Sequence, residues 1–182
     1  RDNGTGTLSD AETYTLTVNP INDAPVLTDI GNQSTNEDII LMGRTVTFTD
    51  ADAGDTHTIT VTSGDSHVTV AGLSGNISGS TYNLVPAANW NGTASITVTV
   101  RDNRTGKLSD AETYTLTVNA VNDAPVLTDI GNQSTNEDVI LMGRTVTFTD
   151  ADGEDTHTIA VTSGDSHVTA ACLSGNISGT TS

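Results

Sequence analysis

The side chains that could do chemistry are carboxylates. Asp50-Ala-Asp-Ala-Gly-Asp55 places three of them in one short loop. Carboxylates this close repel one another unless a cation lies between them. Calcium takes roughly six to eight hard oxygens, drawn from carboxylates, Asn side chains and backbone carbonyls. Asp-x-Asp alone is a weak motif. It gains weight beside a second, amide-rich stretch that occurs twice, as Asn19-Pro-Ile-Asn-Asp-Ala-Pro-Val26 and as Asn119-Ala-Val-Asn-Asp-Ala-Pro-Val126. Together these point to a bound calcium ion, with a merely solvated acidic loop as the alternative reading. Residues 50–61 lack the longer ligand ladder and terminal Glu of an EF-hand.

The elements that position these residues follow from a repeat. Residues 1–82 align with 101–182 without a gap and differ at 12 positions. A period of 100 residues is that of a whole small β-sandwich rather than of a solenoid coil. With Asn119–Ile130 as the joint between copies, residues 1–20 are the final strand of a preceding repeat, 21–120 a complete repeat, and 121–182 the N-terminal part of the next. Arg1 is not a natural start, so the termini are expected to be cuts within something longer. Neither partial copy holds a whole strand set, so each is expected to present open sheet edges. Three outcomes are open: the partial copies are disordered, the chain is a cut piece, or strand complementation between identical chains closes the edges, with Glu12–Val18 of one chain entering the unfinished repeat of another.

Inside 21–120 the apolar residues alternate with period two. Ala24–Ile30 reads as a first short strand, Ser34–Asp38 as a polar loop, and Ile39–Thr49 as a strand with Val46 and Phe48 on one face. His57–Thr62 follows with Ile59 and Val61 inward, then a short strand at Val68 and Val70. Residues 73–84 are too rich in Gly, Ser and Asn to assign. Pro86–Gly92 is a loop holding the only Trp, Trp90. Ala94–Val100 carries Ile96, Val98 and Val100 inward, and Glu112–Val118 carries Tyr114, Leu116 and Val118 inward. No period of 3.6 is visible. The fold class is therefore all-β, with about seven strands per repeat, as in an immunoglobulin-like sandwich.

Composition narrows the partners. The net charge is −17, from 6 basic and 23 acidic residues, which repels phosphate and argues against nucleic acid. No run is long and apolar enough to span a membrane. Hydrophobic residues are 34% of the chain and aromatics 3%, so the cores are small. One cysteine, Cys172, allows no internal disulfide; small extracellular domains lacking one often need a metal instead.

At these residues the chain resembles a known family. Ile21-Asn-Asp-Ala-Pro-Val26 and Val121-Asn-Asp-Ala-Pro-Val126 are similar to the joint of cadherin repeats. Val100-Arg-Asp102 with Leu108-Ser109 resembles the segment before that joint, and Thr49-Asp-Ala-Asp52 resembles the cadherin Asp-x-Asp. The likeness is greatest to the bacterial cadherin-like tandem repeats of large surface adhesins. It implies seven-stranded Greek-key sandwiches, calcium at the joints, an extracellular, secreted or cell-surface location, and a role in adhesion or biofilm rather than catalysis. It also implies a ligand set. Asn119, Asn122 and Asp123 would bind calcium with Glu37 from the repeat before and Asp150 and Asp152 from the repeat after. The earlier joint would use Asn19, Asn22, Asp23, Asp50, Asp52 and Asp102, and Glu137 is the counterpart of Glu37 in the next copy. The Asp-Arg-Glu ligand motif of cadherins is absent, with Asn89-Trp-Asn91 roughly in its place.

Other residues carry weaker readings. His57 shares the parity of Ile59 and reads as half-buried, whereas His67 lies on the opposite parity to Val68. Zinc would need both at one site. No Ser-His-Asp arrangement stands out from the duplicated, Thr-rich strands, so no enzyme is expected. Trp90, Tyr82 and Tyr114 are the aromatics that could meet a surface polysaccharide, the alternative function, although Trp90 reads more simply as a core plug and Tyr114 as core. Cys172 replaces Gly72 of the first copy and reads as drift.

Overall fold

In the computed structural model of the chain, residue 5 and residues 9–153 and 155–170 are described; Cys172 lies outside them. Every described element is a strand or a turn. Within the central repeat these are β1 (Val26–Leu27), β2 (Gln33–Asn36), β3 (Leu41–Val46), β4 (Phe48–Thr49), β5 (His57–Ser63), β6 (Val68–Ala71), β7 (Ser80–Pro86), β8 (Gly92–Asp102) and β9 (Ser109–Asn119). Two more, β10 (Val126–Leu127) and β11 (Phe148–Thr149), lie in the next copy.

Two sheets enclose one core. The first has the order β2-β9-β8-β5 and the second β3-β7-β6. All pairings are antiparallel except β2 with β9, which runs parallel with Gln33 opposite Leu116. The alternation of Thr with Val and Ile decides which face is buried. On β8, Ile96, Val98 and Val100 are fully buried, and on β9 Leu116 and Val118 meet them from the next strand. Val46, Val68, Tyr82 and Leu84 of the second sheet close the core from the other side. Burying one such side chain contributes about 1.5–3 kcal/mol.

The structure differs from the sequence reading in three places. Ser34–Asp38 is not simply a loop: β2 takes Ser34–Asn36 into the first sheet, because edge pairing uses main-chain groups and needs no apolar side chain. The strand expected over 39–49 is divided into β3 and β4, with a bulge between Leu41 and Arg44. Gly43 adopts a φ of 67° there, and its N–H is held by Asn83 Oδ1 at 2.9 Å. The unassigned stretch yields β7, which begins at Ser80 and includes Pro86, expected in the following loop.

Residues 9–20 make a sharper point. Residues 8–19 repeat 108–119 letter for letter. In β9, Tyr114, Leu116 and Val118 are 4%, 0% and 2% exposed; Tyr14, Leu16 and Val18 are 83%, 76% and 82% exposed, in no strand. The pattern is competent for a strand, but a strand needs a partner and a face to bury. Farther on, β10 pairs with β11 in the register that joins β1 to β4.

Candidate metal centre

The core alternation delivers polar groups to one end of the first sheet. Asp102 ends β8 on the parity of Val100 and is fully buried. In the ladder it faces His57, the first residue of β5. A buried carboxylate must be satisfied. Asp102 Oδ2 accepts from Asn22 Nδ2 at 2.8 Å and from the Leu108 N–H at 3.1 Å, and Oδ1 accepts from the Arg104 N–H at 3.1 Å. This ties the first joint to the end of its own repeat.

The acidic loop packs against the same end. His57 Nε2 meets Asp50 Oδ2 at 2.8 Å, Asp50 Oδ1 accepts the Asp52 N–H at 2.9 Å, and Asp52 Oδ2 accepts the Asp23 N–H at 2.7 Å. Phe48 holds the His57 ring edge-on, with centroids 4.7 Å apart. The His57 contact, then the Asp52 N–H, hold Asp50 below the ordinary carboxylate range. Among the described residues, the acidic side chains able to bring one oxygen each within 4.8 Å of one another are Asp50, Asp52 and Asp55. Asp55 has no side-chain exposure. Asp55 Oδ1 is met by Arg104 Nε, whereas Asp55 Oδ2 and Asn22 Oδ1 are buried without a hydrogen-bond partner. Such orphaned oxygens are the donor chemistry of a hard-cation site.

The second joint is clamped from both sides. Glu37, buried in the central repeat, accepts the Val121 N–H on Oε1 at 2.5 Å, and its own N–H donates to the Asn119 carbonyl at 2.9 Å. From the next copy, Asp152 Oδ2 accepts the Asp123 N–H at 2.6 Å, and Asp150 Oδ1 accepts the Asp152 N–H at 2.9 Å. His157 pairs with Asp150 as His57 does with Asp50, and that contact leads the causes that lower Asp150. Asp123 is pushed the other way, first by desolvation and then by the carboxylates of Asp152, Asp38, Glu37 and Asp150. Five acidic side chains therefore share one field at this joint.

The residues named from the sequence are thus unevenly gathered. Asn22, Asp23, Asp50, Asp52 and Asp102 meet at the first joint, and Glu37, Asp123, Asp150 and Asp152 at the second. Asn122 Nδ2 turns to the carbonyl of its neighbour Asp123, and Asn119 Nδ2 to Thr35 O and Asn36 Oδ1. Asn19 and Glu137 are exposed. The reading by resemblance passed over Asp55, although it stands in the same loop, and over His57, whose parity with Ile59 already turned it inward. Asp38 and Arg104 carried no signal in spacing.

The other candidate chemistries are taken up elsewhere. His67 pairs with Asp65 and stacks on Trp90 with centroids 5.1 Å apart, so the two histidines of the repeat serve different aspartates. Trp90 packs against the core, and Tyr82 and Tyr114 are buried with their hydroxyls 2.5 Å apart. These three do not form an exposed aromatic platform.

Comparison with known proteins bears on the family. A profile described as Bacterial Ig domain matches residues 22–119. No curated protein matches the chain. Among solved structures, human CDH23 EC21-23 is similar at 21% identity and a TM-score of 0.44, over 72% of this chain and 45% of that one. Protocadherin Gamma C5 EC1-3 is similar at 13% identity and a TM-score of 0.41, over 71% and 45%. A nucleoside hydrolase-related hypothetical protein from Saccharophagus degradans, associated with carbohydrate metabolism, is similar at 19% identity and a TM-score of 0.43, over 54% and 26%. The chain spans less than half the length of each. Two packed sheets with alternating strands, and a profile match over more than half of the residues, lead to one assignment: through residues 22–119 the chain belongs to the bacterial Ig domain family.

Proposed function

We propose that the chain is an extender segment of a long extracellular surface protein, built from Ig-like repeats whose joints are stiffened by calcium. The observation that carries this reading is the double clamp on Val121–Asp123. Glu37 from one repeat and Asp152 from the next hold neighbouring N–H groups of the same joint. A cation there would offset the repulsion felt by Asp123 and fix one repeat against the other. The fold family supports a structural or adhesive module rather than a catalyst. Among the described residues no helix is long and apolar enough to cross a membrane. Calcium at about one hundred times its Kd should raise stability by about 2.7 kcal/mol. A thermal melt in excess calcium and then in chelator tests this: a higher Tm with calcium is expected, with a smaller gain in Asp152→Ala, which removes a ligand of the second joint only, and identical melts would overturn the reading.

One observation favours an assembly variant of the same role. Tyr14, Leu16 and Val18 expose a strand pattern that the identical residues of β9 bury. β8 of the central repeat is already paired on both edges, so Glu12–Val18 would instead enter the unfinished repeat at 121–182 of another chain. A mass that stays monomeric at high concentration would remove this variant.

A further inference from the structure

The site formed by Asp50, Asp52 and Asp55 already faces a positive charge. Arg104 lies in the turn between β8 and β9, held by its N–H on Asp102 Oδ1. Its Nε is in contact with Asp55, and its Nη1 lies 3.8 Å from Asp52 Oδ1. The Asp55 side chain beneath it has no exposure, and the Asp52 side chain is 11% exposed. At the aligned position of the preceding copy the residue is Gly4, one of the 12 differences between the copies. A second difference, Thr7 against Lys107, adds another positive charge to the same turn, while Gly54 against Glu154 adds a negative one to the acidic loop of the next copy. Two of the 12 differences between the copies thus add positive charge to this one turn, beside the carboxylates of Asp52 and Asp55.

We propose that Arg104 is a tethered counter-cation that competes with calcium at Asp52 and Asp55, so that copies of the repeat are graded in calcium dependence by the residue at this position. The inference rests on the calcium reading of the joints and adds its regulation. A guanidinium neutralises one negative charge and donates a planar fork of hydrogen bonds. It holds the loop together when calcium is scarce. It also occupies oxygens that calcium needs, so the ion must displace it. A copy with glycine here has neither the support nor the competitor.

The test is Arg104→Gly in the full chain, carried out in an Asp152→Ala background to remove a ligand of the second joint. In chelator the Tm should fall, because three close carboxylates lose their counter-charge. Calcium should restore it, with an affinity by calorimetry at least tenfold tighter than in the Asp152→Ala chain that keeps Arg104. Unchanged affinity, or an unchanged Tm in chelator, overturns the proposal. Calcium binding by the chain without either substitution, with no gain on Arg104→Gly, sinks this inference alone. If none of the three chains takes up calcium, the reading of the joints falls and the competition falls with it.

Discussion

At the scale of single residues, the core holds one polar contact whose removal should separate two costs. The hydroxyls of Tyr82 and Tyr114 meet at 2.5 Å from opposite sheets, and both rings are buried. Tyr82→Phe leaves the Tyr114 hydroxyl without a partner and should cost about 1–3 kcal/mol. Changing both to Phe removes donor and acceptor together and should cost less than either single change. Urea melts of the three variants check this. Burial, the first cause for each, raises both phenols above their ordinary value of 10.0. The folded state then holds the phenolic protons more tightly than the unfolded chain. Stability from this source is complete below pH about 10 and declines as pH rises beyond it. Phenolate absorbance from these two rings should appear together with loss of the near-ultraviolet dichroism, not before it.

At the scale of elements, the turn that starts β8 is a second sensitive point. Gly92 has a φ of 150°, and a Cβ there would lie 2.9 Å from Trp90 Cζ2. Trp90 is pinned by the parallel His67 ring, so it has little room to withdraw. Gly92→Ala should destabilise the repeat by about 1–3 kcal/mol, read from a denaturant midpoint with an unchanged slope. The longest strands were plain in the sequence, because Ile96, Val98 and Val100 and then Tyr114, Leu116 and Val118 alternate without interruption. β2 was not, because Gln33-Ser-Thr-Asn36 joins the sheet through its backbone and offers no apolar pattern. The acidic loop was visible as a motif. The roles of Asp55 and Arg104 were not, because they come together only when β8 turns back over the loop, 49 residues apart in sequence.

At the scale of the whole molecule, the joint is the electrostatic weak point of a chain with net charge −17. Asp123 is raised by desolvation and by its four acidic neighbours. Its proton therefore favours the ordered joint when calcium is absent. In chelator, order at the joint should fall as pH rises through the raised Asp123 value, and fall again at the acid extreme as Asp150, whose value is lowered, takes up its proton. Saturating calcium should reverse the trend, since the ion needs the ionised form. Hydrogen exchange of the Val121 and Asp123 amides across pH, with and without calcium, reads this directly. A pH trend that calcium leaves untouched would mean that no cation binds at the joint.

The parallel pair β2–β9 has a mechanical consequence. β2 follows the first joint and β9 runs out into the second, so both strands point the same way along the chain. A pull from joint to joint draws the start of β2 backward and the end of β9 forward. The two strands slide past each other in shear, and the bonds between Gln33–Asn36 and Leu116–Asn119 carry the load together instead of opening one at a time like a zip. Each bead would then hold until the whole patch yields at once, and a string of them would lengthen under force in discrete steps.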